Sequence, residues 1–182
     1  MSLKELTKDS HDRAENTEFM KAVFKKRMPE AVWADYTYQK SVFYASIETV
    51  ARDAGLTHNM LDIERGLKLY QDAKEIFNGN FPRLRPITVD YSRYILDLVG
   101  QPDKIIPHLY TWHMGDLFGG QMIKKMLPPP HRNLEFNDVD GLKLKIRMLL
   151  NDSMAEEANV AFEWAIKLMN TYNNELNLEQ PD

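Results

Sequence analysis

The sequence predicts an all-α single domain, and three observations carry that prediction. Apolar residues recur at helical spacing along most of the chain. Two Ser-x-x-Glu stretches, Ser2–Glu5 and Ser153–Glu156, have the form of capping boxes that open helices. Proline and glycine mark short connections between the periodic runs. With 182 residues, one domain can bury roughly 70% of its unfolded surface.

Ser2 opens the first helix. A second run, Thr17 to Arg27, ends before Pro29, which suits a first helical position. From there Val32, Trp33, Tyr36, Gln39, Val42, Phe43, Ile47 and Val50 share a helical period up to Gly55. Asp62 is the N-cap expected for a helix carrying Ile63, Leu67, Tyr70, Ala73 and Phe77, which "NGN" at 78–80 stops. "FPRLRP" reads as a loop, and Thr88 to Val99 as a short helix closed by Gly100. Pro102 to Leu127 is a long element that Pro107 should kink or divide. "PPPHRNLEFND" is irregular. "DGLKLKIRMLLND" is helical, although 142–146 also alternates as a strand would. The last helix runs from Ser153 to about Asn174. One domain spans 1–182, with a flexible tail from about residue 176.

Composition removes several function classes. Net charge is −4, which gives no electrostatic footprint for nucleic acid. The chain has no cysteine, which excludes disulfides, thiolate-held metals, iron–sulfur clusters and cysteine nucleophiles. No apolar run approaches the ~18 residues of a membrane span, and the charged start "MSLKELTKDSHDRAEN" is unlike a secretory signal. The expectation is a soluble cytoplasmic protein with no membrane anchor.

"GDLFGGQ" at 115–121 is the unusual stretch. Each helical glycine costs about 1 kcal/mol against alanine. Gly115 and Gly119 share a face. They permit either close helix packing or the approach of a flat, bulky ligand to the backbone. Asp116 beside them needs a partner or water if it is buried. Among the five histidines, none follows a glutamate by three residues, so a di-iron bundle is excluded. His11 is the best single ligand candidate, with Glu15 four residues on to orient its ring, although an exposed N-terminal histidine fits the spacing as well. His108 and His113, five apart, do not share a helical face.

Three stretches in order, "KDSHDRAEN", "YTWHMGDLFGGQMIKKM" and "EEANVAF" at 156–162, resemble the heme oxygenase family over most of the chain. The resemblance implies a multi-helix fold with heme sandwiched between a proximal helix and a kinked, glycine-rich distal helix. It implies that His11 is the proximal iron ligand, with Glu15 near its ring. Gly115 and Gly119 touch the heme face, and Asp116 holds distal water and delivers a proton through it. Lys4, Tyr110, Lys143 and Arg147, with Lys8 nearby, neutralise the heme propionates. Ala14 and Met20 line the wall, and Phe162 packs on the heme. The implied reaction opens heme at a meso carbon, the alpha, giving biliverdin, carbon monoxide and ferrous iron. Heme is then substrate and cofactor and O2 a co-substrate, with no tightly bound flavin or iron–sulfur cluster.

The implied partners are a soluble electron donor, ferredoxin, and a downstream bilin reductase. The chain itself is expected to be a monomer or weak dimer. "FKKR" at 24–27, Lys124, Lys125, Arg83 and Arg85 would form the basic docking face for an acidic donor. The chain departs from the family pattern at Phe118, where serine is usual, at Trp112 and His113, where arginine and tyrosine are frequent, and in a shorter segment between Asn151 and Glu156. A heme-storing or heme-sensing protein is the alternative reading. A helical interaction domain that binds no heme is another.

Overall fold

Glu5 takes the backbone N–H of Ser2 at 2.7 Å, and this expected box opens α1 (Leu3–Leu6) in a computed structural model that describes residues 2–177. Next come α2 (Lys8–Glu15) and α3 (Glu18–Phe24), the latter capped by Thr17, whose hydroxyl accepts Met20 N–H at 3.2 Å. The spine is α4 (Glu30–Asp53). Pro29 is its extended N-cap rather than its first helical residue, which leaves Glu30 in the first turn, where the helix dipole favours an acid.

The Asp62 cap is corrected. Asp62 sits at φ 67°, and α5 (Gly66–Ile76) starts four residues later. Its cap comes from another helix: Glu48 of α4 accepts the N–H groups of Arg65 at 2.5 Å and Gly66 at 3.0 Å. Only glycine fits at 66, because a Cβ there would lie 2.9 Å from the Ala45 backbone nitrogen. α6 (Pro86–Leu96) opens on Pro86, two residues before the expected Thr88.

α7 (Pro102–Phe118) runs unbroken through Pro107. The hydrogen bond that proline omits would reach only Asp103, in the first turn, where the loss is tolerated. The break falls at Gly119 instead, and α8 (Gly120–Ile123) follows. A 3₁₀ turn (Arg132–Leu134) leads to α9 (Val139–Leu149). Asp138 caps α9 by accepting Gly141 N–H at 2.9 Å, and a Cβ at Gly141 would overlap that carboxylate. Residues 142–146 are therefore helical, with Leu142 and Ile146 buried one turn apart.

The second capping box does not form. Asn151 accepts Ser153 N–H at 3.0 Å and sets a 3₁₀ turn (Asp152–Met154) ahead of α10 (Ala155–Asn170). Of the expected tail, Leu176 and Asn177 belong to α11 (Asn173–Asn177), and 178–182 lie outside the described residues. No strand occurs among the described residues.

α4 packs against α5, α6 and α7, while α10 packs against α7 and α2. The core between them holds Phe19, Phe43, Tyr44, Ile47, Tyr91, Leu109 and Tyr172, all fully buried. Each such apolar side chain contributes about 1.5–3 kcal/mol by leaving water. No described helix is long and apolar enough to cross a membrane.

A polar chain threads this core. Trp112 Nε1 donates to the Tyr91 hydroxyl at 2.9 Å, which lies 2.7 Å from His108 Nδ1. His108 Nε2 is 3.0 Å from Glu157. Burial pushes the His108 pKa below its ordinary 6.5, against the pull of Glu157. The unfolded chain thus binds this proton first on acidification. Its contribution is complete above 6.5 and withdraws as pH falls. Burial pushes Glu157 up, but hydrogen bonds from His108 and Tyr94 outweigh it and hold the carboxyl below 4.5, so its loss comes later in the same direction. Thermal midpoints measured from about pH 7.5 to about pH 5 should fall, and His108→Gln should flatten the upper part of that slope. An unchanged slope would remove His108 from the acid response.

Candidate functional site

The three glycines of 115–120 have separate jobs. A Cβ built at Gly115 meets nothing within 4 Å, so this position on α7 faces open space. Gly119 ends α7, and its added Cβ would lie 3.2 Å from the Gly115 carbonyl oxygen. Gly120 is a packing glycine, since its Cβ would lie 2.8 Å from Leu134 Cδ2. The packing reading therefore holds at Gly120, while Gly115 leaves its backbone open on the outer face of α7.

Asp116 turns inward, into the α4 interface. Only 7% of the residue is exposed, and its oxygens are held by Lys40 Nζ at 2.7 Å, Tyr44 hydroxyl at 2.8 Å and Asn133 Nδ2 at 3.3 Å. Burial, with the Asp116 charge beside it, pushes the Tyr44 pKa well above its ordinary 10, so the hydroxyl stays a donor. Lys40, Tyr44 and Asn133 were not found from sequence. A lysine within the apolar period of Tyr36, Phe43 and Ile47 was the available signal for the first.

His11 lies on the solvent side of α2, its side chain 53% exposed. Glu15 stands 3.7 Å from Nε2, as the spacing suggested, and Asp12 stands 3.8 Å from Nδ1, which the sequence reading missed. Neither contact is within hydrogen-bond distance, so the ring nitrogens remain available for a ligand. Phe162 of α10 meets the His11 ring edge-on at 5.9 Å between centroids. Arg13 and Glu163 pair across the same two helices. Ala14 and Met20 are half-buried against the main core.

Tyr110 of α7 and Lys143 and Arg147 of α9 converge at one edge. Burial raises the Tyr110 pKa, against a Thr7 hydrogen bond and the Arg147 charge that pull it down. Lys143 Nζ and the Arg147 guanidinium both lie over the Phe118 ring, at 4.2 and 5.3 Å from its centroid. Lys8 instead pairs with Asp12 beside His11, and Lys4 is exposed on α1. No contact among the described residues joins either lysine to the α9 cations. The expected basic face is also thinner than the sequence suggested. Arg85 is held by Asp35 and Glu175, and Lys124 by Glu135, which leaves 24–27, Arg83 and Lys125 exposed. An apolar groove of about 490 Å³ between α4, α5 and α6 includes none of the expected site residues.

A family model described as heme oxygenase matches residues 1–147. Heme oxygenase 2 of Mus musculus is 28% identical over 198 residues, covering 91% of this chain and 62% of that protein. Heme oxygenase 1 of Synechocystis sp. is 27% identical over 198 residues, covering 92% of this chain and 82% of that one. The chain spans less than two thirds of the length of the mammalian heme oxygenase 2 proteins it matches. The fold is similar to the crystal structure of Synechocystis heme oxygenase-1 in complex with heme, with a TM-score of 0.83 at 23% identity over 97% of this chain and 92% of that one. Heme oxygenase from Leptospira interrogans gives 0.82 at 23% identity over 94% of this chain and all of that one.

The glycine geometry separates two substitutions. Gly115→Ala meets no atom and should raise stability against urea by about 0.5–1 kcal/mol through helix propensity. Gly120→Ala should lower it by displacing Leu134. Equal effects from both would return Gly115 to a packing role. Lys40→Met should cost about 3–5 kcal/mol, because it strands a buried carboxylate; a loss below about 1 kcal/mol would mean that water replaces the lysine.

Proposed function

The chain belongs to the heme oxygenase family, and from that premise we propose that it cleaves heme at the alpha meso carbon to biliverdin, carbon monoxide and ferrous iron. O2 and electrons from a soluble donor, ferredoxin, complete the reaction. One observation carries the reading: Gly115 presents bare backbone to open space while Asp116, the next residue, is locked into the protein beneath it.

The residues present fit heme. His11 offers an exposed imidazole whose nitrogens are uncommitted, with Phe162 and Ala14 as apolar wall beside it. A neutral histidine binds heme iron from one side. Lys143, Arg147 and Tyr110 supply donors for the carboxylates at one edge. When bound, heme supplies the redox chemistry and O2 activation, and the chain supplies position, shape and protons.

Gly115 acts by absence, since a side chain there would hold a flat ring away from the helix. Asp116 does not reach the open side as a direct acid. Its carboxylate accepts from Lys40, Tyr44 and Asn133, and in this proposal it orders a water through its remaining lone pairs and the Tyr44 hydroxyl. Proton delivery through water keeps a strong acid away from the reacting oxygen. The exposed basic residues at 24–27 with Arg83 and Lys125 support docking of an acidic donor.

The test is a hemin titration of the protein, followed by reduced ferredoxin under air. A saturable one-to-one Soret band that decays as a biliverdin band grows supports the proposal. A Soret band that persists would leave heme storage or sensing as the function. Asp116→Ala should retain the Soret band and lower the rate of biliverdin formation at least about tenfold, a barrier increase of at least about 1.4 kcal/mol; an unchanged rate removes Asp116 from proton delivery. Arg147→Ala should weaken hemin binding and produce mixed biliverdin isomers, and a single unchanged isomer would count against the edge role.

A further inference from the structure

Phe118 ends α7, one residue before the break at Gly119, and is 54% exposed. An aromatic ring half in water is not held by the core. Two cations hold it instead. Lys143 and Arg147, one turn apart on α9, both direct charge at its face, at 4.2 and 5.3 Å. Lys143 has little else. Its carboxylate neighbour Asp140 stands 3.8 Å away on a side chain 98% exposed, while the lysine side chain itself is only 17% exposed. The ring therefore lies over the largely buried Lys143 ammonium and beside the exposed Arg147 guanidinium, whose charge also acts on Tyr110.

Resting on the proposed heme reading, we infer that Phe118 is a specificity-determining residue: its ring competes with the ligand's carboxylates for Lys143 and Arg147. A carboxylate on a guanidinium is a charge-assisted, often bidentate contact, stronger than a ring face. A dianionic tetrapyrrole displaces the ring, and the ring returns when the tetrapyrrole leaves. The exchange lowers affinity for every ligand that carries these carboxylates. The product of the proposed reaction keeps both, so Phe118 also speeds its release. An uncharged ligand edge gains nothing by displacing the ring and does not feel the competition.

The experiment compares the wild-type protein with Phe118→Leu, which keeps bulk but removes the π face, and Phe118→Tyr, which keeps both. Each is titrated with hemin and with hemin dimethyl ester, and biliverdin dissociation is followed by stopped flow. A cation–π contact at an exposed site corresponds to about a two- to fivefold change in affinity. Phe118→Leu should bind hemin tighter and release biliverdin more slowly by about that factor, with ester binding unchanged and Phe118→Tyr like the wild type. Unchanged or weaker hemin binding in Phe118→Leu overturns the inference. So does an equal shift for the ester, which would place Phe118 against the macrocycle rather than on the cations. Absence of a Soret band in the wild type is a different failure: it overturns the heme reading itself, and this inference with it.

Discussion

The buried pair of Lys40 and Asp116 sets the geometry on which the candidate site depends. Two opposite charges, each with a side chain 10% exposed, meet at 2.7 Å between α4 and α7. Taking both from water is costly, and the pair is tolerable only because further donors complete it. The Tyr44 hydroxyl shares its single proton between the same carboxylate and the Trp112 carbonyl oxygen, each at 2.8 Å, so one donor spans two successive turns of α7. Rotation of α7 would leave a buried charge alone. The face carrying Gly115 is thereby fixed outward, although Gly115 itself makes no contact that could fix it.

The same economy recurs at Glu48. One carboxylate on α4 starts α5 through two backbone N–H groups and also meets His113 Nε2 at 2.9 Å. α4 thus supplies the polar anchors for its neighbours from within an otherwise apolar surface. This explains what was legible in the sequence. Helix content followed from periodicity, the first cap from Ser2 and Glu5, and the α9 pair from i, i+4 spacing. The Asp62 cap failed because Glu48, fourteen residues earlier and on another helix, satisfies the α5 terminus. The Ser153 cap failed because Asn151 bonds the same backbone first. Pro107 failed as a break because its position near the start of α7 makes the lost bond cheap. The α5 start was decided between helices, whereas the Asn151 and Pro107 outcomes are local and turn on the one competing bond that pattern alone does not rank.

Within the candidate site the same division holds. His11 with Glu15, and Lys143 with Arg147, are intrahelical pairs and could be read directly. The partners of Asp116 come from α4 and from the 3₁₀ turn, far away in sequence. Lys8 pairs with Asp12 one turn along the same helix, an exposed i, i+4 contact that the spacing also allowed. Arg85, expected on a docking face, is drawn to Asp35 and Glu175 because these stabilise the packing of α4, α6 and α11. A surface cation is free only when no acid, on its own helix or a neighbouring element, reaches it.

The histidines differ in what the fold leaves open to a ligand. A ligand needs a nitrogen not already committed and a path for iron to reach it. His108 is fully buried, with one nitrogen beside the Tyr91 hydroxyl and the other beside Glu157. His113 has an unpaired Nδ1, but that atom is buried and its ring is packed against Tyr44 at 4.5 Å, so no flat group can approach it. His58 and His131 each bond a backbone carbonyl of their own loop, those of Gly55 and Leu127. His11 is the one whose ring is exposed with neither nitrogen in a hydrogen bond among the described residues. Its neighbours Glu15 and Asp12 stand just beyond bonding range, at 3.7 and 3.8 Å. Phe162 makes a T-shaped contact with the ring at 5.9 Å between centroids. The absence of cysteine excludes a thiolate ligand, so under the proposed heme reading the histidine whose ring the fold leaves exposed and without a hydrogen bond would hold the iron.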